Sequence, residues 1–163
     1  MAEKTMIFLN TWGAYNDGSI GYGWMGIEEA RDFMAENPER DGGEWFIADL
    51  DNYTGATFQN LEYANVSDVL DTLEALEALK DWERDEIVAL MEYLNTEDAQ
   101  EALDDYDNYI FYSDLDEYHD SCDECLNIDD NDSILARYFD YDAFHRDCDF
   151  DIYEASNGIV IAA

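Results

Sequence analysis

Ser67-Asp-Val-Leu-Asp-Thr-Leu-Glu-Ala-Leu-Glu-Ala-Leu79 places Val69, Leu73, Leu76 and Leu79 at the three-to-four-residue spacing of an amphipathic helix. Ser67 stands where a helix N-cap belongs. Asp71, Glu74, Glu77 and Asp81 follow one another at +3, +3 and +4 and line a second face with carboxylates. The same pattern continues downstream. Residues 85–94 turn Ile87, Leu90, Met91 and Leu94 inward, and Thr96 can cap a third helix running through Ala99, Ala102 and Leu103. A helical bundle is expected over residues 62–103.

On either side the period changes. Upstream, Met6-Ile-Phe-Leu-Asn-Thr-Trp12 reads as a strand, Tyr15-Asn-Asp-Gly18 as a turn, and Ile20, Tyr22 and Trp24 alternate with Gly21, Gly23 and Met25 as a second strand. A short helix over 27–35 ends before Asn37-Pro38, and a third strand over 44–49 follows the Asp41-Gly-Gly43 turn. Downstream, 109–112 reads as a strand, and 114–126 and 133–144 read as helices. Residues 150–153 and 159–161 flank a hairpin turn at Ser156-Asn-Gly158. The expected fold is α+β and elongated, built of three small subdomains. Residues 1–61 supply an antiparallel sheet with a short helix, 62–103 the central bundle, and 104–163 a small sheet with helices.

Charge narrows the function. Forty-two Asp and Glu oppose seven Lys and Arg, a formal net charge of −35, in a chain that is 47% hydrophobic and 15% aromatic. Acidic chains that stay unfolded lack aromatics, so this one is expected to bury a core in spite of its self-repulsion. The net charge is −8 over residues 1–61, −11 over 62–103 and −16 over 104–163. A nucleic-acid binder needs a basic footprint, so direct nucleic-acid binding is excluded and a basic protein surface is the expected partner. No stretch approaches the ~20 apolar residues of a membrane span. The N-terminal residues do not resemble a signal peptide, and three Cys suit a reducing compartment, so a cytoplasmic protein is expected. Duplex DNA carries one charge per ~1.7 Å of axis, whereas a helix with one acid per turn carries one per ~5.4 Å. Imitating a duplex is therefore expected to take several elements in parallel.

Other chemistries fit less well. Asp129-Asp-Asn131-Asp-Ser133 opens like a calcium-binding EF-hand loop, but Ile134 replaces the sixth-position Gly and Asp140 the twelfth-position Glu. His119, Cys122, Cys125, His145 and Cys148 offer five zinc-type ligands. Cys122 and Cys125 fall on a helix, where a thiol is more often a small core residue; no metal or other cofactor is assigned, although the sequence leaves zinc open. No nucleophile elbow, P-loop or dinucleotide fingerprint is present, and no pair of carboxylates stands out as a catalyst. An enzyme is not expected.

Ile134-Leu-Ala-Arg-Tyr-Phe-Asp-Tyr-Asp-Ala-Phe-His-Arg-Asp147, followed by Asn157-Gly158, resembles the antirestriction-motif region of ArdA-type proteins. The opening, Ile7-Phe-Leu-Asn-Thr-Trp-Gly-Ala-Tyr-Asn-Asp-Gly18 with Gly21 and Gly23-Trp24, is similar to the start of the same family. Where family members commonly carry Val-Pro-Glu ahead of Tyr-Phe-Asp-Tyr, Asn131-Asp-Ser133 stands here, and Cys148 occupies a place often held by Leu. The resemblance implies an antirestriction protein of mobile genetic elements. Such a protein is a homodimeric DNA mimic that occupies the DNA groove of a type I restriction–modification enzyme, at its methyltransferase core. It places the motif at a dimer interface, and Leu135, Tyr138, Phe139 and Phe144 form the apolar patch that suits it. The expected phosphate mimics are Asp71, Glu74, Glu77, Asp81, Asp104, Asp105, Asp107, Asp114, Asp116, Glu117, Asp120, Asp123 and Glu124. The alternative is an acidic protein aimed at another basic DNA-binding protein.

Overall fold

The computed structural model describes residues 4–38, 40–126 and 137–163. Strand β1 (Met6–Thr11) runs into a short helix α1 (Trp12–Asn16), then β2 (Trp24–Met25), α2 (Ile27–Glu36) and β3 (Trp45–Asp51). These strands form an antiparallel sheet of order β2-β1-β3, with a register shift between Phe8 and Leu9. Three helices follow: α3 (Val66–Glu77), α4 (Asp81–Leu94) and α5 (Ala99–Asp105). The chain closes with β4 (Tyr109–Tyr112), α6 (Leu115–Leu126), α7 (Tyr141–Cys148), β5 (Tyr153–Ala155) and β6 (Gly158–Ala162). The second sheet is antiparallel, of order β4-β6-β5. The arrangement is α+β, with two small sheets on either side of the central helices in chain order.

Burial divides into two clusters. Ile7 and Leu9 of β1 and Ile47 of β3 pack with Ile27 and Ala30 of α2 and with Val66, Val69, Leu70 and Leu73 of α3. Leu76, one turn further along α3, belongs instead to a cluster with Ile87, Leu90 and Met91 of α4, Ala99 and Ala102 of α5, and Val160 of β6. Helix α3 thus shares its apolar face between both cores. Its last turn is closed from the next helix. Arg84, almost fully buried, donates through Nε to the Leu76 carbonyl and through Nη2 to the Leu79 carbonyl, both at 3.0 Å. The Leu76 carbonyl also accepts the Leu79 N–H at 3.2 Å, and Leu79 lies beyond the helix, which ends at Glu77.

Several local expectations are corrected. The second strand is confined to Trp24–Met25, because Gly21 and Gly23 hold φ of 117° and 103° and turn the backbone out of the ladder. A Cβ on Gly21 would meet the Phe8 ring at 2.5 Å and the Leu9 carbonyl at 2.8 Å. Asn65, not Ser67, caps α3: its Oδ1 accepts the Ser67 and Asp68 N–H groups at 2.9 and 3.3 Å. Asp98, not Thr96, caps α5 by accepting the Gln100 N–H at 2.9 Å. The start of the helix expected over 133–144 lies outside the described residues, as does the candidate calcium-loop stretch Asp129–Ser133. Phe139 and Asp140 are non-helical, and Asp140 Oδ1 accepts the Ala143 N–H at 3.0 Å to cap α7, which runs on to Cys148.

The caps provide a direct check. Asn65→Ala is expected to cost about 1 kcal/mol of unfolding free energy in urea, whereas Ser67→Ala is expected to be close to neutral. The reverse order would restore Ser67 as the cap.

Candidate functional site

The densest arrangement of charge is on α6. Asp116, Glu117, Asp120, Asp123 and Glu124 follow the i, i+1, i+4, i+7, i+8 pattern, which at 100° per residue confines them to an arc of about 120°. They occupy about 12 Å of helix axis, one carboxylate per ~2.4 Å. That is denser than one acid per turn and near the ~1.7 Å spacing of duplex charge. Leu115, Tyr118, His119, Cys122 and Leu126 take the opposite side and are half-buried, while every acid of the stripe except Asp123 is exposed. The helix start is tied down by its own acids. Asp114 Oδ1 accepts the Glu117 N–H at 2.9 Å, and Glu117 Oε2 accepts the Ser113 N–H at 2.7 Å and hydroxyl at 2.8 Å. Those two Ser113 bonds, the backbone one first, hold the Glu117 carboxyl below its usual range.

The remaining expected acids divide into committed and available groups. Asp71 and Glu74 are exposed but share one guanidinium: Arg31 Nη2 bonds Asp71 and lies 3.0 Å from Glu74 Oε2. Glu77 is half-buried and accepts the Thr5 N–H at 2.9 Å. Asp81 belongs to α4 and pairs with Arg84 Nη1 at 3.1 Å, so it does not extend the α3 row on one helix. Asp104 accepts from Gln100 at 2.7 Å and Asp105 from Asn108 at 2.6 Å. Asp107, Asp116, Asp120 and Glu124 are exposed and accept no hydrogen bond from another described residue.

Sequence reading missed Glu92. Its carboxylate, on α4, accepts the Ser156 hydroxyl and, at 3.0 Å, the Ser156 N–H at the β5–β6 turn. The hydroxyl bond first, then the backbone bond, lowers its pKa. Asn157 Nδ2 adds a bond to the Asp85 carbonyl at 2.8 Å. These ties fasten the second sheet to the central helices across more than 60 residues of sequence, and no local pattern marks them.

The aromatic patch is partly assembled. Tyr138 is 84% exposed. Phe139 stands edge-on to Phe144 at 5.6 Å and to Tyr141 at 4.9 Å. Leu135 lies outside the described residues. Phe150, read from the sequence as a strand residue, sits in a short 3-10 turn and is 88% exposed.

Between α6 and α7 lies a polar seam. The His119 and His145 rings stack at 4.1 Å, nearly parallel at 8°. His119 Nε2 is 2.6 Å from Asp149 Oδ1, and His145 Nε2 is 2.8 Å from Asp123 Oδ1. An ionised carboxylate only accepts, so each imidazole donates there. The Tyr118 hydroxyl donates to the Cys148 carbonyl at 2.8 Å. Burial, then the neighbouring Cys122, pushes the Cys148 thiol up to about 11. Cys125 is exposed, unlike the core thiol that its helix position suggests. The three cysteines are free, and among the described residues no group of three or more His, Cys, Asp and Glu is arranged to hold a metal ion. No described helix is long and apolar enough to cross a membrane.

Against known proteins, the model of the antirestriction protein (ArdA) family matches residues 7–161. A comparison with curated proteins gives no match.

The Glu92 tie sets a pH dependence. Its folded pKa lies below the ordinary 4.5, so its stabilisation is complete above that value and is lost as pH falls through the lowered one. Glu92→Gln is expected to melt below the parent at pH 7, with the gap narrowing as pH falls below 4.5. Equal melting temperatures at pH 7 would remove the tie.

Proposed function

This chain belongs to the ArdA antirestriction family, a family of inhibitor proteins, and from that premise we propose that it acts as a DNA mimic. It would occupy the duplex-binding groove of a type I restriction–modification enzyme, at the methyltransferase core, without catalysing a reaction. The observation that carries this reading is the α6 stripe: five carboxylates on one side of a helix, of which Asp116, Asp120 and Glu124 are exposed and uncommitted among the described residues, while Glu117 is held by Ser113 and Asp123 pairs with His145. Asp107 extends the negative surface beside β4. Only Arg137 and Arg146 oppose the 18 acids of residues 104–163, so this end of the chain is the one best suited to a basic groove. The row on α3 is a weaker candidate, because Arg31 neutralises part of it.

The protein would work as a cytoplasmic homodimer carried by a mobile genetic element. Two protomers of like charge need an apolar seam to overcome their repulsion, and exposed Tyr138 beside the Phe139–Phe144 pair supplies aromatic side chains of the kind enriched at interfaces. The motif residue Leu135 would join them.

Competition against DNA tests the mechanism. A type I methyltransferase loaded with labelled duplex is expected to release it stoichiometrically when the protein is added. Inhibition should weaken as salt shortens the screening length from about 10 Å at 0.1 M to about 3 Å at 1 M. Asp105→Asn should change little, because one solvated charge contributes on the order of 1 kcal/mol or less. Combined Asp116→Asn, Asp120→Asn and Glu124→Gln should weaken displacement strongly. DNA left in place would turn the reading towards another basic DNA-binding protein, and loss of activity from one surface carboxylate alone would favour an active site.

For the seam, Phe139→Asp is expected to yield monomers in sedimentation velocity. A parent dimer unchanged by it would place the interface elsewhere.

A further inference from the structure

We propose that a cleft between α4 and the second sheet takes one arginine side chain of the partner protein, so that recognition includes an inserted guanidinium as well as matched surface charge. This rests on the inhibitor reading above, and it adds a discrete site on the surface. The cleft has a volume of about 300 Å³ and is lined by Trp82, Asp85 and Glu86 of α4, Phe111 of β4, Glu117 of α6 and Asn157 of the β5–β6 turn, among others. Ligand pockets run from about 300 to 1,000 Å³, so this one suits a single side chain. None of its lining residues is basic.

Three features point to a guanidinium. The first is a pair of carboxylates held in place. Glu117 Oε2 is engaged by Ser113, and Glu86 Oε2 accepts the Tyr106 hydroxyl. Burial first, then that bond, pushes Tyr106 up to about 12, so Tyr106 keeps its proton and donates. Stacking on Phe111 at 5.1 Å fixes its ring. Within the described residues, Oε1 of Glu86 and Oε1 of Glu117 each accept no hydrogen bond.

The second feature is Asn157. Its Nδ2 is committed to the Asp85 carbonyl, while its Oδ1 is buried and has no partner among the described residues. A buried acceptor without a donor is costly, so a guanidinium, with five N–H donors, would gain from a small Asn157 rearrangement that opens Oδ1 to the cleft. The third is Trp82, 55% exposed. Lys80 Nζ already stands 5.5 Å from its ring centre, the geometry of a cation over an aromatic face. Arginine fits better than lysine because its planar fork can stack on the indole and reach two carboxylates at once, and it is more weakly hydrated.

The test uses the intact protein in NMR titrations with N-acetyl-arginine amide, its lysine counterpart and the neutral citrulline counterpart. The arginine probe should give saturable shifts centred on the Trp82 indole and the Asn157 side-chain amide. Lysine should bind more weakly and citrulline should give none. Glu86→Gln, which preserves shape, and Trp82→Ala should each reduce the response. Shifts that are alike for both cations and spread along α6, or that ignore both substitutions, would overturn the cleft. In the methyltransferase competition, Trp82→Ala should weaken displacement about tenfold, the scale of an interface hot spot. Arginine binding without any DNA displacement by the parent would sink the inhibitor reading and leave the cleft. Displacement with no local arginine response would do the opposite.

Discussion

Self-repulsion is the constraint under which the rest of the molecule is arranged. A chain with a formal charge of −35 must bury its apolar side chains while its carboxylates stay in water, and it has few cations to help. Three of them hold elements to one another. Arg84 closes α3 through two carbonyls, pairs with Asp81 and stands 5.0 Å from the Tyr53 ring centre. Arg31 ties α2 to α3 by bridging Asp71 and Glu74. Arg40 lies over Tyr22 and Phe33 at the edge of the first sheet. Each acts less as a neutraliser of bulk charge than as a fastener between elements.

The C-terminal part is built differently. Neither α6 nor α7 has a fully buried residue among those described. Two imidazole–carboxylate pairs, the stacked His119 and His145 rings and a tyrosine hydroxyl on a backbone carbonyl hold them together. Polar ties of this kind each contribute on the order of 1 kcal/mol, less than a buried leucine contributes to a core. The same economy leaves the outer side of α6 to carboxylates alone. The part of the chain with the least core thus presents the densest charge, which suits a surface meant to meet a basic groove.

Much of the architecture was legible because it follows local periodicity. Strand-like stretches beside turns marked β1 and β3, the three-to-four spacing marked α3 and α4, and Asn157-Gly158 marked the last hairpin. The misses have specific causes. The Ile20–Met25 alternation looked like a strand because glycine has no side chain to break the pattern, but positive φ at Gly21 and Gly23 breaks the backbone instead. Asn65 displaced Ser67 as a cap because two capping residues lay two positions apart, and spacing alone did not rank them. Asp140 is the N-cap of α7, so a helix begins after it, inside the stretch that reads in the sequence as one continuous helix.

By itself the sequence determined the charge, its rise towards the C-terminus, the helical and strand periods, and the motifs that carry the family resemblance. All of these are properties of neighbours along the chain. Which carboxylates remain available was decided only by the tertiary structure. Arg31 reaches Asp71 and Glu74 across 40 and 43 residues, and Ser156 reaches Glu92 across 64. A carboxylate's availability depends on who arrives beside it when the chain closes on itself, and that partner leaves no trace in the local pattern.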